Sequence, residues 1–452
     1  MLKQSFDRGS VREYVEAVRG VLGSDRLRDL AGHAAARMPG DGAPADKLRS
    51  ALSSVDESPT PRAGGAGTHP YLSRDPIISL VQSSIESELR AKGVTDDTPA
   101  RRGLFDKIVV AVRELLHPGN FSPGDPGWVI KIAESTLERL ADGNHPFNPG
   151  PAEYEISDSA RLVLVGDWGT GLPRARSVAT HMAEEVADAL GNQREVHVIH
   201  LGDVYYSGLP GEYKSHVLSC WPVSADQAKA GATSWSLNGN HDMYSGGFGY
   251  FQTLLTDPRF AHQHSADGHP TSFFRLSSPS WDFIGLDTAW DSNVFSKGEI
   301  AVLNNPQADF VVSVATEKPS KKLALLSHHQ YVSTYSPGDI GAELGEKLAP
   351  VLRDGRVTAW WWGHEHRCIG FESCGGVNFP RCLGHGGVPE PQNNAATPPA
   401  GPRIAWEERD FFVSDDERWR RFGFAVLDLD GGRITARYTN DAGAPVHTEE
   451  IS

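Results

Sequence analysis

From residue 161 onward, short apolar runs recur, and nearly every one ends on an aspartate, an asparagine or a histidine. This placement restricts the fold more than any other feature of the chain. Leu162–Val165 runs into Gly166-Asp167-Trp168-Gly169, and Val196–Leu201 into Gly202-Asp203-Val204-Tyr205-Tyr206. Trp235–Leu237 leads to Gly239-Asn240-His241-Asp242, Leu323–Leu326 to Ser327-His328-His329, and Val357–Trp362 to Gly363-His364-Glu365-His366. Such runs read as buried strands, with Asp282–Leu286 as a further one, while Val178, Met182, Val186 and Leu190 recur at helical spacing behind the first. Strands alternating with helices give an α/β fold, in which ligands collect outside the carboxyl ends of the strands. Phe422–Asp428 and Arg433–Thr439, joined through Asp430-Gly431-Gly432, read as a closing β-hairpin.

The residues at these strand ends are carboxylates, an amide, imidazoles and a phenol, which are donors for paired first-row metals. Two metals held about 3.5–4 Å apart suit in-line displacement at a phosphate ester. Taken singly, each residue has a plainer explanation. Aspartate after a strand is common in turns. His241 alone reads as a hydrogen-bonded loop histidine, and His364 and His366 as surface residues. Trp360-Trp361-Trp362 reads as core, and His197 and His200 as structural. Two Asp, one Asn and three His at successive strand ends outweigh those readings together. Beside Asn240, His241 is placed to act as an acid, and Asp242 to orient it or a neighbour.

The rest of the chain limits the alternatives. A net charge of −15 repels polyanions and argues against broad nucleic-acid binding. No apolar run approaches the roughly 20 residues of a membrane span. The opening MLKQSFDRGSVREYVEAV has no apolar stretch of secretory type, so a cytoplasmic location is expected. Residues 1–150 are expected to form a helical module: Ser10 and Glu13 fit a capping box, and Ile77–Leu89, Leu104–Leu116 and Trp128–Leu140 carry helical periodicity. Pro59–His69 reads as a linker or long loop. The Asn144–Pro151 break sets off a second domain, 151–452, in which Pro389–Pro402 reads as a surface loop. Cys368, Cys374 and Cys382 lack the short spacing of zinc knuckles, so reduced thiols are expected, with a disulfide as the lesser alternative.

The series GDWG, GDVYY, GNHD, SHH and GHEH resembles that of the calcineurin-like metallophosphoesterase superfamily, and most nearly that of the purple acid phosphatases. Two details carry the narrower likeness. Asp167-Trp168-Gly169 lacks the histidine of the usual Asp-x-His, and the tyrosine of GDxxY, which compensates in purple acid phosphatases, is here Tyr206. The resemblance covers roughly residues 160–440. It implies a four-layer α-β-β-α sandwich holding two metal ions. Asp167, Tyr206 and His366 would hold Fe(III), Asp203 would bridge, and Asn240, His328 and His364 would hold a divalent Fe, Zn or Mn. His328 is preferred to His329 as the match to the histidine of VxxH. A hydroxide made acidic by the metals would attack phosphorus, with His241 stabilising charge and protonating the leaving oxygen, and Asp242 in support. The substrate implied is a small phosphate monoester. A phosphodiester, or a catalytically silent metal-binding module, is the alternative. The family's second catalytic histidine has no counterpart in Gln330–Asp339, which leaves leaving-group protonation to His241, with His329 a candidate helper.

Overall fold

The computed structural model describes residues 143–452 except 206, 293–300, 336–341, 391–400 and 415–416. The expected helical module therefore lies outside the described residues, apart from 143–150, which run without regular structure.

Two sheets account for most of the described chain. The first has the order β1-β5-β6-β7-β8-β10-β9-β11, formed by Ala152–Glu155 (β1), Phe274–Ser277 (β5), Trp281–Leu286 (β6), Lys322–Ser327 (β7), Val357–Trp362 (β8), Cys368–Phe371 (β9), Val377–Leu383 (β10) and Ile404–Glu407 (β11). The second has the order β16-β15-β14-β2-β3-β4, formed by Arg161–Val165 (β2), Val196–His200 (β3), Thr233–Ser236 (β4), Gly423–Asp430 (β14), Arg433–Asn440 (β15) and Pro445–Ile451 (β16). Phe411–Ser414 (β12) and Glu417–Arg420 (β13) pair separately. At the centre, β2, β3 and β4 run parallel, as do β6, β7 and β8. Their carboxyl ends carry the five polar segments.

Alternation along the strands explains the layering. A strand sends successive side chains to opposite faces, so a strand buried on both faces is apolar throughout. Leu162 and Leu164 of β2 enter a core shared with Ala324 and Leu326 of β7 and Ala359 and Trp361 of β8, which places the two sheets face to face. Val163 and Val165 point the other way, onto Val178, Met182 and Val186 of the helix Pro173–Gly191. Leu323, Leu325, Trp360 and Trp362 pack outward with Val311 and Val314 of the helix Asn305–Glu317. The result is the α-β-β-α sandwich. Its three adjacent tryptophans belong to the core: all are fully buried, and each indole N–H donates to a side chain, Ser327 for Trp360, Tyr438 for Trp361 and Glu365 for Trp362.

The hairpin extends slightly past its expected bounds, and β16 adds a third strand to it. His197 is fully buried between Thr233 Oγ1 at 2.7 Å and Glu195 Oε1 at 3.3 Å, and burial pushes His200 down to about 3; both sit within β3. All four cysteines are free thiols. Among the described residues, no helix is long and apolar enough to cross a membrane.

Candidate metal centre

The strand ends turn sharply, and the backbone records it. Among the described residues, five other than glycine have positive φ. Four are Asp167 (54°), Asp203 (73°), His364 (68°) and His366 (51°), and the fifth is Gln193 (55°). Left-handed backbone costs an L-residue about 1–2 kcal/mol, and such strain concentrates at functional sites. Here it turns four expected ligands toward one place. Close approach does the rest: a Cβ added to Gly239 would lie 2.1 Å from Asp203 Oδ1, so only glycine lets the third segment pass this carboxylate.

Two clusters result. In the first, the Tyr205 phenol oxygen lies 2.9 Å from Asp167 Oδ1, Asp203 Oδ2 and His366 Nε2. A phenol has one proton and cannot satisfy three such neighbours at once. Burial, then the charges of Asp167 and Asp203, push this phenol well above its usual range. In the second cluster, Asn240 Oδ1 lies 2.9 Å from His328 Nε2 and 3.0 Å from His364 Nδ1, and Asp203 Oδ1 lies 3.4 Å from His328 Nε2. Burial lowers the His328 pKa, so the ring is neutral. Its Nδ1–H donates to Leu201 O at 3.0 Å, leaving Nε2 as a bare acceptor that faces an amide oxygen and a carboxylate. Acceptors converging on acceptors in a buried site fit cations, and a ring N–H held by a backbone carbonyl is the usual support of a metal-binding histidine. Asp203 offers one oxygen to each cluster.

His241 stands at the start of the short helical turn Asn240–Met243. Its backbone N–H donates to Asp203 Oδ1 at 2.9 Å, and its Nε2 lies 3.9 Å from Asp203 Oδ2. Asp242 does not face the clusters. Its Oδ2 accepts from the backbone N–H of Asp203 (2.8 Å) and Gly239 (2.6 Å), and its Oδ1 accepts from Val204 N–H (3.1 Å) and the Tyr213 hydroxyl. It therefore ties the second and third segments together. Burial and the Asp203 charge push it up to about 8, against the hydrogen bonds that draw it down.

The structure thus brings together Asp167, Asp203, Asn240, His241, His328, His364 and His366. Tyr206 lies outside the described residues; among the described residues, Tyr205 brings a phenol to the first cluster. The sequence offered adjacent tyrosines, and register in a family pattern pointed to the second. Two further residues went unnoticed. Tyr244 accepts from Asn240 Nδ2 at 2.5 Å and so turns the amide oxygen toward the histidines. Tyr213, at the start of the helical segment Tyr213–Leu218, reaches Asp242.

Residues 160–368 match the family model for calcineurin-like phosphoesterases. Solved structures that the chain matches include GAP50, the anchor in the inner membrane complex of Plasmodium, with 14% identity and a TM-score of 0.45 over 65% of this chain and 88% of that one. A 5'-nucleotidase from Candida albicans has 11% identity and a TM-score of 0.35, over 66% of this chain and 54% of that one. A comparison with curated proteins finds no match.

Proposed function

Because residues 160–368 carry a calcineurin-like phosphoesterase domain, we propose that the chain is a binuclear metal-dependent hydrolase of small phosphate monoesters, of purple acid phosphatase type. One observation carries the reading: the bare Nε2 of His328 faces the Asn240 amide oxygen at 2.9 Å and Asp203 Oδ1 at 3.4 Å in a buried site, lone pair against lone pair. Asp167, His366 and a phenol form one ligand group, and Asn240, His328 and His364 the other, with Asp203 between them. The phenol favours Fe(III) in the first position, and the imidazoles suit divalent Fe, Zn or Mn in the second. A bound metal pair supplies Lewis acidity to the phosphoryl group and lowers the pKa of water at the site.

The chain's own groups supply the rest. His241 Nε2 faces the Asp203 oxygen that points to the first cluster, where it holds a proton for the developing charge and the leaving oxygen. Asp242 and Tyr244 hold Asp203 and Asn240 in place through their hydrogen bonds.

Turnover of p-nitrophenyl phosphate against bis(p-nitrophenyl) phosphate by the metal-loaded chain tests the reading. Faster cleavage of the monoester is expected. Preference for the diester would make the chain a phosphodiesterase, and no turnover of either ester with two metals bound would make it a silent metal-binding module.

A further inference from the structure

His329 follows a metal-ligand candidate, has no part in the mechanism above, and is fully buried. Thr288 grips it twice: Thr288 Oγ1 accepts the His329 backbone N–H at 3.2 Å and lies 3.0 Å from its Nδ1. Ser327 Oγ donates to the His329 carbonyl at 2.8 Å and is itself held by the Trp360 indole N–H at 2.9 Å. Such restraint sets the ring plane. The ring centroid lies 4.9 Å from that of His328 and 4.8 Å from that of His364. One ring nitrogen from each of the three residues lies within 4.8 Å of the others. The remaining nitrogen of His329, Nε2, is buried without a hydrogen-bond partner.

An unpaired buried imidazole nitrogen costs about 1–3 kcal/mol in lost hydration. Unpaired buried ring nitrogens also occur at His200 and His385, but neither belongs to a group of converging ligand atoms. His329 instead has Nδ1 on a hydroxyl and Nε2 on nothing, next to two imidazoles that already converge. With Nδ1–H donating to Thr288 Oγ1, Nε2 is a lone-pair donor, in the arrangement that orients metal-binding histidines.

We propose that His329 is a third imidazole ligand of the second metal position, alongside His328, His364 and Asn240, with Thr288 as its positioning residue. This rests on the two-metal reading above. A ring nitrogen from each of the three histidines already lies within 4.8 Å of the others, in the neighbourhood of one ion. Three imidazoles make the second position nitrogen-rich, so it selects zinc over manganese or magnesium.

The test is zinc affinity of the full chain, measured by chelator competition, for wild type, His329→Gln and Thr288→Val. Thermal unfolding of each metal-free variant reports whether it folds. Loss of zinc affinity at one of two sites is expected, tenfold or more for His329→Gln and roughly 10–100-fold for Thr288→Val, the usual cost of removing a ligand's hydrogen-bond partner. Folded His329→Gln that binds two zinc ions with wild-type affinity overturns the assignment and leaves the two-metal reading standing. Wild type that binds fewer than two ions overturns both. If His329→Gln does not fold, cobalt-loaded wild type decides. Hyperfine-shifted imidazole N–H protons from four histidines are expected, and a set from His328, His364 and His366 alone refutes the proposal.

Discussion

Asp242 should matter more to the site than its distance from the reacting groups suggests. The Asp242→Ala substitution removes the acceptor of three buried backbone N–H groups, on Asp203, Val204 and Gly239, and of the Tyr213 hydroxyl. Each orphaned buried donor costs about 1–3 kcal/mol. Relief of the repulsion between Asp242 and Asp203 offsets part of the sum. A net loss of about 4 kcal/mol is therefore expected, which lowers Tm by roughly 8–16 °C for a domain of this size. Asp242→Asn keeps one oxygen and lets Tyr213 reverse its bond, so Val204 N–H is the main orphan and the loss is about 1–3 kcal/mol. Because Asp242 also sets the backbone that carries Asp203, metal affinity should fall by roughly 10–100-fold in the alanine variant. Thermal unfolding with and without added metal reads both effects. An alanine variant that melts with wild type and keeps full metal content would refute the positioning argument.

Further outcomes follow from the same geometry. His241→Ala should lower kcat by roughly 10²–10⁴-fold while leaving metal content unchanged, because its backbone N–H, which the variant keeps, is what donates to Asp203 Oδ1; loss of metal along with activity would contradict its role as an acid. Burial raises Asp287 from 3.8 to about 6, with Ala289 and Trp290 N–H groups donating to its Oδ1. The folded state thus holds a proton that the unfolded state has released, and this contribution is full below about 4 and is lost as pH rises through about 6. Asp287→Asn should remove that loss of stability, on the order of 2–3 kcal/mol, from denaturant titrations between pH 4 and 7; an unchanged pH slope would show that Asp287 is ionised throughout. With iron bound, a visible tyrosinate band should vanish in Tyr205→Phe and survive in Tyr206→Phe; the reverse would restore Tyr206 to the site.

The sandwich was legible because its central strands are apolar on both faces and their ends are polar. β8 keeps its expected bounds, Val357–Trp362, and β2, β3, β6 and β7 shift by only a residue or so. What escaped were strands with little apolar signal. β1 is Ala-Glu-Tyr-Glu, and β16 is Pro-Val-His-Thr-Glu-Glu-Ile; both lie at sheet edges, where pairing with a neighbour decides the conformation. At the site, residue types and order pointed to the Asp, Asn and His members of both clusters; Tyr205 supplies a phenol among the described residues, and the expected Tyr206 lies outside them. Choosing between Tyr205 and Tyr206 depends on which way the chain leaves Asp203 at φ 73°, a backbone property that spacing does not encode. The roles of Tyr213 and Thr288 were likewise invisible, because each acts through hydrogen bonds to a residue far along the chain.

Elemental analysis of the purified chain, wild type beside Asp203→Asn, tests the central claim most directly. The account requires two first-row metal ions per wild-type chain and at most one in the variant, since Asp203 offers an oxygen to each cluster. Wild-type chain that takes up no pair of ions, or an Asp203→Asn chain that keeps both, would contradict it.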